Sequence, residues 1–480
     1  MREVQRRQQE FLQPRTEDIE LFLDSRDDMP SVLQGIKDLH SDPEFREPVF
    51  KLLNETILPQ ADRNQGRPGM DLWSILVLGI VKQAKRLDFD ALHDLANHHD
   101  LLRLFLGHTD LWSKHRYSLK TLEQNINRLT PDLLGKIAEL AVKCGHAVLG
   151  ISPLEALRAA GDSFVALCDV HWPTDISLLR DAARALILGT RRWGKEHGVS
   201  GIREWKDNRE KIKALFDLVR KGKCENHDHV KSYLAACKTR VDALAKVVQA
   251  LQAAGAAEWK IRKLEHFIGC ARILMDQVER RVLKGEKIPH CEKIFSVFEP
   301  HTRWIAKGKA GHIAELGVPV HILADQYGFI LVAMVGWEGV DKDFAVPLVE
   351  EAQKKHPQVN AASFDRGYHS PANQAELDRR LDCNAMPKKG KMNEAERERR
   401  SSPEFQMMAR AHSRIESNIN NLEQRGMDRV LSYGPDGFER MVMLSVLSLN
   451  VHLLGLKRRE RFREERKREA GRKRRLPKAA

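Results

Sequence analysis

Most of this chain reads as helix, and the few segments that read as strand are far apart along it. Residues 162–170 (DSFVALCDV) have strand character, bounded by Gly161 and by the turn His171-Trp172-Pro173-Thr174-Asp175. Strand character returns only after Cys291. VPVHILADQYGFILVAMVGW holds two β-rich stretches around Asp325-Gln326-Tyr327-Gly328, a hairpin signal. DFAVPLVEEAQKKH then reads as a helix, and AASFD as a short strand ending at Asp365. Isolated apolar strands must pair to bury their faces and satisfy their backbones. The order strand, hairpin, helix, strand, helix therefore implies a mixed α/β sheet with flanking helices.

The helical stretches divide the chain around that sheet. Residues 1–150 read as an all-helical N-terminal region, with turns at Asp27-Asp28-Met29-Pro30 and Ser41-Asp42-Pro43 and a break at Gly66-Arg67-Pro68-Gly69. After the break, Leu72, Ile75, Leu76, Gly79 and Ile80 recur at helical spacing and predict a buried-face helix. The short helices that follow are compatible with a helix-turn-helix-like DNA-binding region, a weak signal because most small helical bundles bind no DNA. Residues 151–175 are the first part of the core, 176–290 a helical insertion rich in Ala, Leu, Lys and Glu, and 291–456 the remainder of the core. Residues 457–480 read as a basic, disordered tail.

Charge points to a polyanionic partner. Of a net +13, +9 falls between Lys457 and Lys478, where 13 Lys/Arg face 4 Glu. Such a tail suits nucleic acid, since Lys and Arg displace counterions from phosphates; a solvated tail that only aids solubility is the alternative. Aromatics make up only 6%, which argues against an extended base-stacking surface for single strands. Seven cysteines, an odd number with no CxxC, imply a reducing cytoplasm rather than a disulfide framework. Cys224, His227 and His229, with His290 and Cys291, would make a zinc site only at non-standard spacing. The N-terminus (MREVQRRQQEFLQ) is charged and lacks an apolar leader core, and the apolar run Leu72 to Val81 is too short to span a bilayer.

Three acids stand out by position. Asp162 shares a strand face with Phe164, Ala166, Cys168 and Val170, while Asp169 points the other way. A carboxylate on an otherwise apolar strand is costly to desolvate unless something such as a divalent metal compensates it. Asp365 ends a strand before Gly367, and Ser370-Pro371 then reads as a helix start. Glu416 lies beside the apolar stripe Ile415, Ile419 and Leu422, so a helix packed on the sheet can present it to the aspartates. With 67 acidic residues in the chain, a turn aspartate or a solvated helix face remains the alternative for each.

At these residues the sequence resembles a known family. GDSFVALCDVHWPTDISLL, SVFEPHTRWIAKGKAGHIAELGVPVHILADQYGFI, SFDRGYHSPAN and HSRIESNINNLEQRGMDRV are similar to bacterial insertion-sequence DDE transposases, notably the ISNCY group, and the likeness runs in order from about residue 60 to 455. It implies an RNase H-like catalytic core whose DDE triad falls on Asp162, Asp365 and Glu416, the first two 203 positions apart across the helical insertion. Related enzymes often carry basic residues around the glutamate. Here Arg414 precedes it, Glu423 stands where a lysine would fall, and Arg425 could substitute, which leaves a basic contact at that helix open.

The chemistry so implied is in-line displacement at a phosphodiester by two Mg²⁺ or Mn²⁺ ions, with Asp162 bridging both and Asp365 and Glu416 each completing one. Water would cut the element end, and the freed 3′-OH would attack target DNA. The expected partner is double-stranded DNA bound by a homodimer in a bacterial cytoplasm, associated with the nucleoid and no membrane. Arg303, Lys307 and Lys309 would position phosphates or be plain surface charge. His301 and His369 read as structural histidines, and Trp172 and Trp304 as packing residues. Two rivals stand beside the transposase: a hydrolytic nuclease without strand transfer, and a catalytically inactive or domesticated DNA-binding protein.

Overall fold

The computed structural model describes residues 3–5, 14–57, 69–108, 114–199, 205–306 and 314–475, with side chains as far as 468. Gly66-Arg67-Pro68, Lys307 and Lys309 lie outside the described residues. The chain forms two compact units, Met1–Asp169 with Gly317–Ala480, and Val170–Leu316.

The first unit opens with α1 (Met29–Ser41), α2 (Pro43–Ile57), α3 (Leu72–Ala84), α4 (Phe89–His98), α5 (Asp100–Phe105), α6 (Leu119–Ile126) and α7 (Pro131–Leu149). Their starts follow from side chains that accept orphan N–H groups. Asp71 caps α3 through Ser74 N (2.8 Å) and Asp88 caps α4 through Ala91 N (2.7 Å). Thr130 caps α7 ahead of Pro131, and Gly150 ends it in a left-handed conformation.

A mixed sheet follows: β1 (Leu157–Cys168), β2 (Glu315–Asp325), β3 (Ile330–Val335), β4 (Val359–Phe364), β5 (Cys383–Ala385) and the short β6 (Arg429–Val430). The order across it is β3-β2-β1-β4-β5, with β6 beside the end of β1. β1 runs antiparallel to β2 and parallel to β4. The arrangement is compatible with an RNase H-like core. The expected hairpin is present. Asp325 Oδ1 accepts from Tyr327 N and Phe329 N, both at 2.9 Å, and Gly328 has φ 94°. β1 begins five residues earlier than its sequence suggests. Leu157-Arg158-Ala159-Ala160 has little β-branched character, and its extended form comes from pairing with β4.

Helices α12 (Ala345–Lys355), α13 (Pro371–Arg380), α14 (Glu394–Ser401), α15 (Pro403–Ala411) and α16 (Arg414–Leu422) flank the sheet. The last, α17 (Gly434–Arg475), is the central support of this unit and packs on α1, α3 and α7. It is long and apolar enough to cross a membrane, but 67% of its apolar window is buried within the fold, as in a core helix. Buried Asn450 accepts from Ile330 N and donates to Ile330 O, both at 2.9 Å, so the helix satisfies the backbone of edge strand β3. Residues 457–475, read from the sequence as a disordered tail, continue α17. Arg, Lys and Glu are good helix formers, and Arg458–Asp38 (3.2 Å), Arg463–Asp24 (2.7 Å) and Arg461 on the Val148 carbonyl tie this stretch down.

The second unit is helical: α8 (Asp175–Glu196), α9 (Trp205–Lys221), α10 (His227–Ala253) and α11 (Glu258–Val278) around one apolar core. It spans Val170–Leu316, wider than the expected 176–290. Thr174 and Ser177 form a capping box at its entry, and Tyr233 donates to the Ile176 carbonyl at 2.9 Å.

Helices α1 and α17 touch backbone to backbone. A Cβ at Gly455 would lie 1.8 Å from Ser31 O, and one at Gly35 would lie 1.9 Å from Val451 O. Gly35→Ala and Gly455→Ala should each force the helices apart and lower unfolding free energy by about 1–3 kcal/mol, read by thermal or urea denaturation. Wild-type stability in both variants would refute this crossing.

Candidate active site

Strand pairing decides which acids meet. Gly161 of β1 is in register with Phe364, the last residue of β4, so Asp162 and Asp365 occupy the next step on neighbouring parallel strands. The approach needs Gly161, because a Cβ there would lie 2.4 Å from the Phe364 ring. On the other side Asp162 pairs with Ile322 of β2. Asp162 is thus half-buried in mid-strand, whereas Asp365 is exposed just past a strand end.

α16 packs against β1. It buries Ile415, Asn418 and Leu422, with Ile419 only half-buried, and Asn418 donates to the Gly328 carbonyl at 2.8 Å. Glu416 stays exposed. The same sheet face carries a cavity of about 260 Å³, lined in part by Arg158, Ala160, Ser363, Met408 and Arg414. Arg158, Ala160 and Asp162 alternate along β1 and so share this face.

The site's electrostatics tie the acids together. Burial pushes the Asp162 carboxyl up to about 6, and the negative charges of Asp365, Asp341 and Glu416 push in the same direction. The Ser163 N–H, donating to Asp162 Oδ1 at 2.7 Å, opposes them. Asp365 and Glu416 therefore lie near enough to Asp162 to act on its charge. They do not form a closed ligand shell. Among the described residues no group of three or more His, Cys, Asp or Glu is gathered as a metal site, so the expected convergence to metal-bridging distance is not met. Asp162 and Asp365 each accept from the next backbone N–H, Ser163 and Arg366 (both 2.7 Å), and like charges repel. The donor set still fits a hard divalent cation: all its groups are carboxylates, and Asp162 is disfavoured in its charged form by burial first and by the other acids second.

Two further residues belong to this site and were missed in the sequence. Asp341, in the turn after β3, accepts from Ser163 Oγ at 3.0 Å. A Cβ at Gly367 would lie 2.9 Å from Asp341 Oδ2, so the turn after Asp365 closes against it. Nothing in its local sequence separates it from the other acids. His412 faces Ser363 Oγ at 3.1 Å and lies in the turn between α15 and α16, four positions before Glu416. Burial lowers its pKa, while Asp365 and Glu416 act to raise it. Because His412 lies outside the helix that carries Glu416, no helical spacing in the sequence marks it.

Other candidates resolve differently. Arg425 is buried, donating to Asn421 O (2.8 Å) and to His452, so it is not a surface contact for DNA. Arg414 is exposed, with Nη1 3.4 Å from Gln326 O. His369 is buried against Gln374 Oε1 at 3.1 Å, a structural role. Asp169 pairs with Arg429 at 2.5 Å. In the helical unit, Trp172 is 51% exposed and its ring lies 4.9 Å from Trp304, at an edge rather than in a core. Cys224, His227 and His229 form no metal cluster among the described residues; Asn226 caps α10 there.

A carboxyl raised above its usual range destabilises the fold when charged. Its cost is absent below pH about 4 and is complete above about 6. Asp162→Asn should therefore raise stability in metal-free buffer at pH 7–8 by about 1–3 kcal/mol, with the gain vanishing near pH 4. Thermal melts across pH in the presence of chelator check this; no gain at pH 8 would mean that neither burial nor the neighbouring acids penalise the Asp162 charge.

No curated protein and no solved structure matches the chain. Residues 285–451 match the family model described as the transposase DDE domain. The match covers roughly a third of the chain, takes in Asp365 and Glu416 and leaves Asp162 outside it. This likeness supports a transposase function and, through it, DNA as substrate.

Proposed function

We propose that the protein is a DNA transposase of the insertion-sequence type, akin to the ISNCY group, with Asp162, Asp365 and Glu416 as its catalytic carboxylates. The observation that carries this reading is the β1–β4 register, which sets half-buried Asp162 beside Asp365, with Asp341 and Glu416 near enough to act on its charge. A carboxylate that burial and neighbouring acids both disfavour is a cost to the fold that a bound cation relieves.

Asp162, Asp365 and Glu416 would hold two Mg²⁺ or Mn²⁺ ions, which when bound lower the pKa of water and stabilise a leaving 3′ oxygen. Asp162 contributes a rigid, half-buried carboxylate fixed by its strand and by the Ser163 N–H. Asp365 and Glu416 are exposed and can adjust as substrate arrives. Asp341, fixed by Ser163 Oγ, keeps a fourth negative charge beside them. His412, kept neutral by burial, can exchange a proton with water near Asp365 and Glu416.

The overall reaction breaks a P–O bond at the element end with water, leaving a 3′-OH. That oxygen then forms a new P–O bond in target DNA as the target's own 3′ oxygen leaves. The helical N-terminal region would bind DNA, and two copies would pair the element ends.

End-labelled duplexes carrying the element ends separate the possibilities. Asp162→Asn, Asp365→Asn and Glu416→Gln should each cut at least about 10³-fold more slowly while still binding DNA. Joined products mark strand transfer, and cleavage alone marks a nuclease. Variants that cut at the wild-type rate would remove these carboxylates from the chemistry.

A further inference from the structure

The helical unit contains a cavity with cationic walls. It lies between α8 and α9 and has a volume of about 360 Å³. Arg180 and Arg184 line it from α8, and Arg209 and Lys213 from α9. Ile187 and Ile212 supply apolar lining, and Glu210 is the one acid in it. On each helix the two cations are four positions apart, so they share a side and are separated by about 6 Å of axis. The cavity is therefore bordered by two rows of positive charge.

Local acids do not cancel these rows. Buried Asp181 takes His171 Nε2 at 2.7 Å, and its other oxygen is 3.8 Å from both Arg180 and Arg184, beyond hydrogen-bond range. Glu210 accepts from Arg209 at 2.9 Å, which holds its carboxyl below the usual range, and Lys213 acts on it only through its field. Four cations against two carboxylates leave an excess of positive charge on a half-exposed surface.

Aromatic rings hold two of these guanidinium groups, Arg180 and Arg209, and that of nearby Arg191. Arg180 lies 4.5 Å over Phe216, while Arg191 and Arg209 lie 3.7 and 5.5 Å over Trp205. Stacking occupies a guanidinium face and leaves its in-plane donors for an anion. It also covers those rings, so the cleft offers charge and donors but no bare platform for a base.

We propose that this cleft binds successive phosphates of a DNA backbone, making the helical unit a DNA-holding element. The proposal rests on the reading of the chain as a DNA-processing enzyme and adds a site that the carboxylates do not require. The cavity is larger than one phosphate fills, and its paired rows suit a repeating anion better than an isolated one. A free nucleotide or pyrophosphate shares the same phosphate chemistry.

Fluorescence anisotropy of the full-length protein with a labelled duplex of about 30 base pairs, repeated over a range of KCl concentrations, reads the number of phosphates engaged. Arg184→Glu with Lys213→Glu should weaken binding at least about tenfold at low salt and lower the slope of log affinity against log salt by about 2. Arg184→Lys with Lys213→Arg should restore both. If charge reversal disturbs the helical content seen by circular dichroism, Arg184→Gln with Lys213→Gln serves in its place. Unchanged slope and affinity, with wild type binding DNA, would overturn the cleft alone. A wild type that binds no DNA would overturn the DNA reading as well. Calorimetric binding of ADP or pyrophosphate that is lost in the double variant, with DNA affinity intact, would assign the cleft to a free anion and overturn the proposal.

Discussion

The candidate site depends on the parallel pairing of β1 with β4. Gly161 opposite Phe364 fixes the register, and the register alone puts Asp162 beside Asp365 although 203 positions separate them in the chain. A slip of one residue would turn the Asp162 side chain to the other face of the sheet. The glycine matters because the Phe364 ring occupies the space that any side chain at 161 would need. Packing of one aromatic ring on one bare backbone position thus sets where the acids stand.

That register is held from behind by α17. Asn450 meets both backbone groups of Ile330, and the antiparallel ladder from β3 through β2 carries this constraint to β1. Nearby, the buried His146–Asp325 contact (2.6 Å) joins α7 to the hairpin turn. Buried polar contacts of this kind gain little net stability, but they are costly to leave unmade, so they favour one arrangement over its neighbours. The helical scaffold therefore serves the geometry of the sheet as well as the size of the core.

The sequence made much of this legible, for identifiable reasons. The hairpin at Asp325–Gly328, the α3 helix and the mixed sheet rest on strong local signals: turn residues, 3.6-residue periodicity and β-rich runs. The start of β1 at Leu157 was hidden because its strand character comes from pairing, not from its own residues. The course of α17 past Lys457 was hidden because a basic run reads alike whether it is solvated coil or a helix tied to Asp24 and Asp38. Asp162, Asp365 and Glu416 were singled out by position and family likeness, but Asp341 and His412 join them only through tertiary contact. Arg425 illustrates the converse. A surface role fits its sequence context, yet the glycine turn at 426 directs it inward to His452.

On the proposed reading, the charges would divide the labour within one chain. A cluster of carboxylates repels a phosphodiester as strongly as it repels itself, so these acids cannot by themselves recruit DNA. Attraction has to come from elsewhere, and the positive excess lies on other surfaces, the distal part of α17 and the rows on α8 and α9. Bound cations would reverse the sign of the local field where the acids stand and make it hospitable to a phosphodiester. Asp162 fits that reading, as a strand carboxylate whose charged form its burial and its acidic neighbours disfavour.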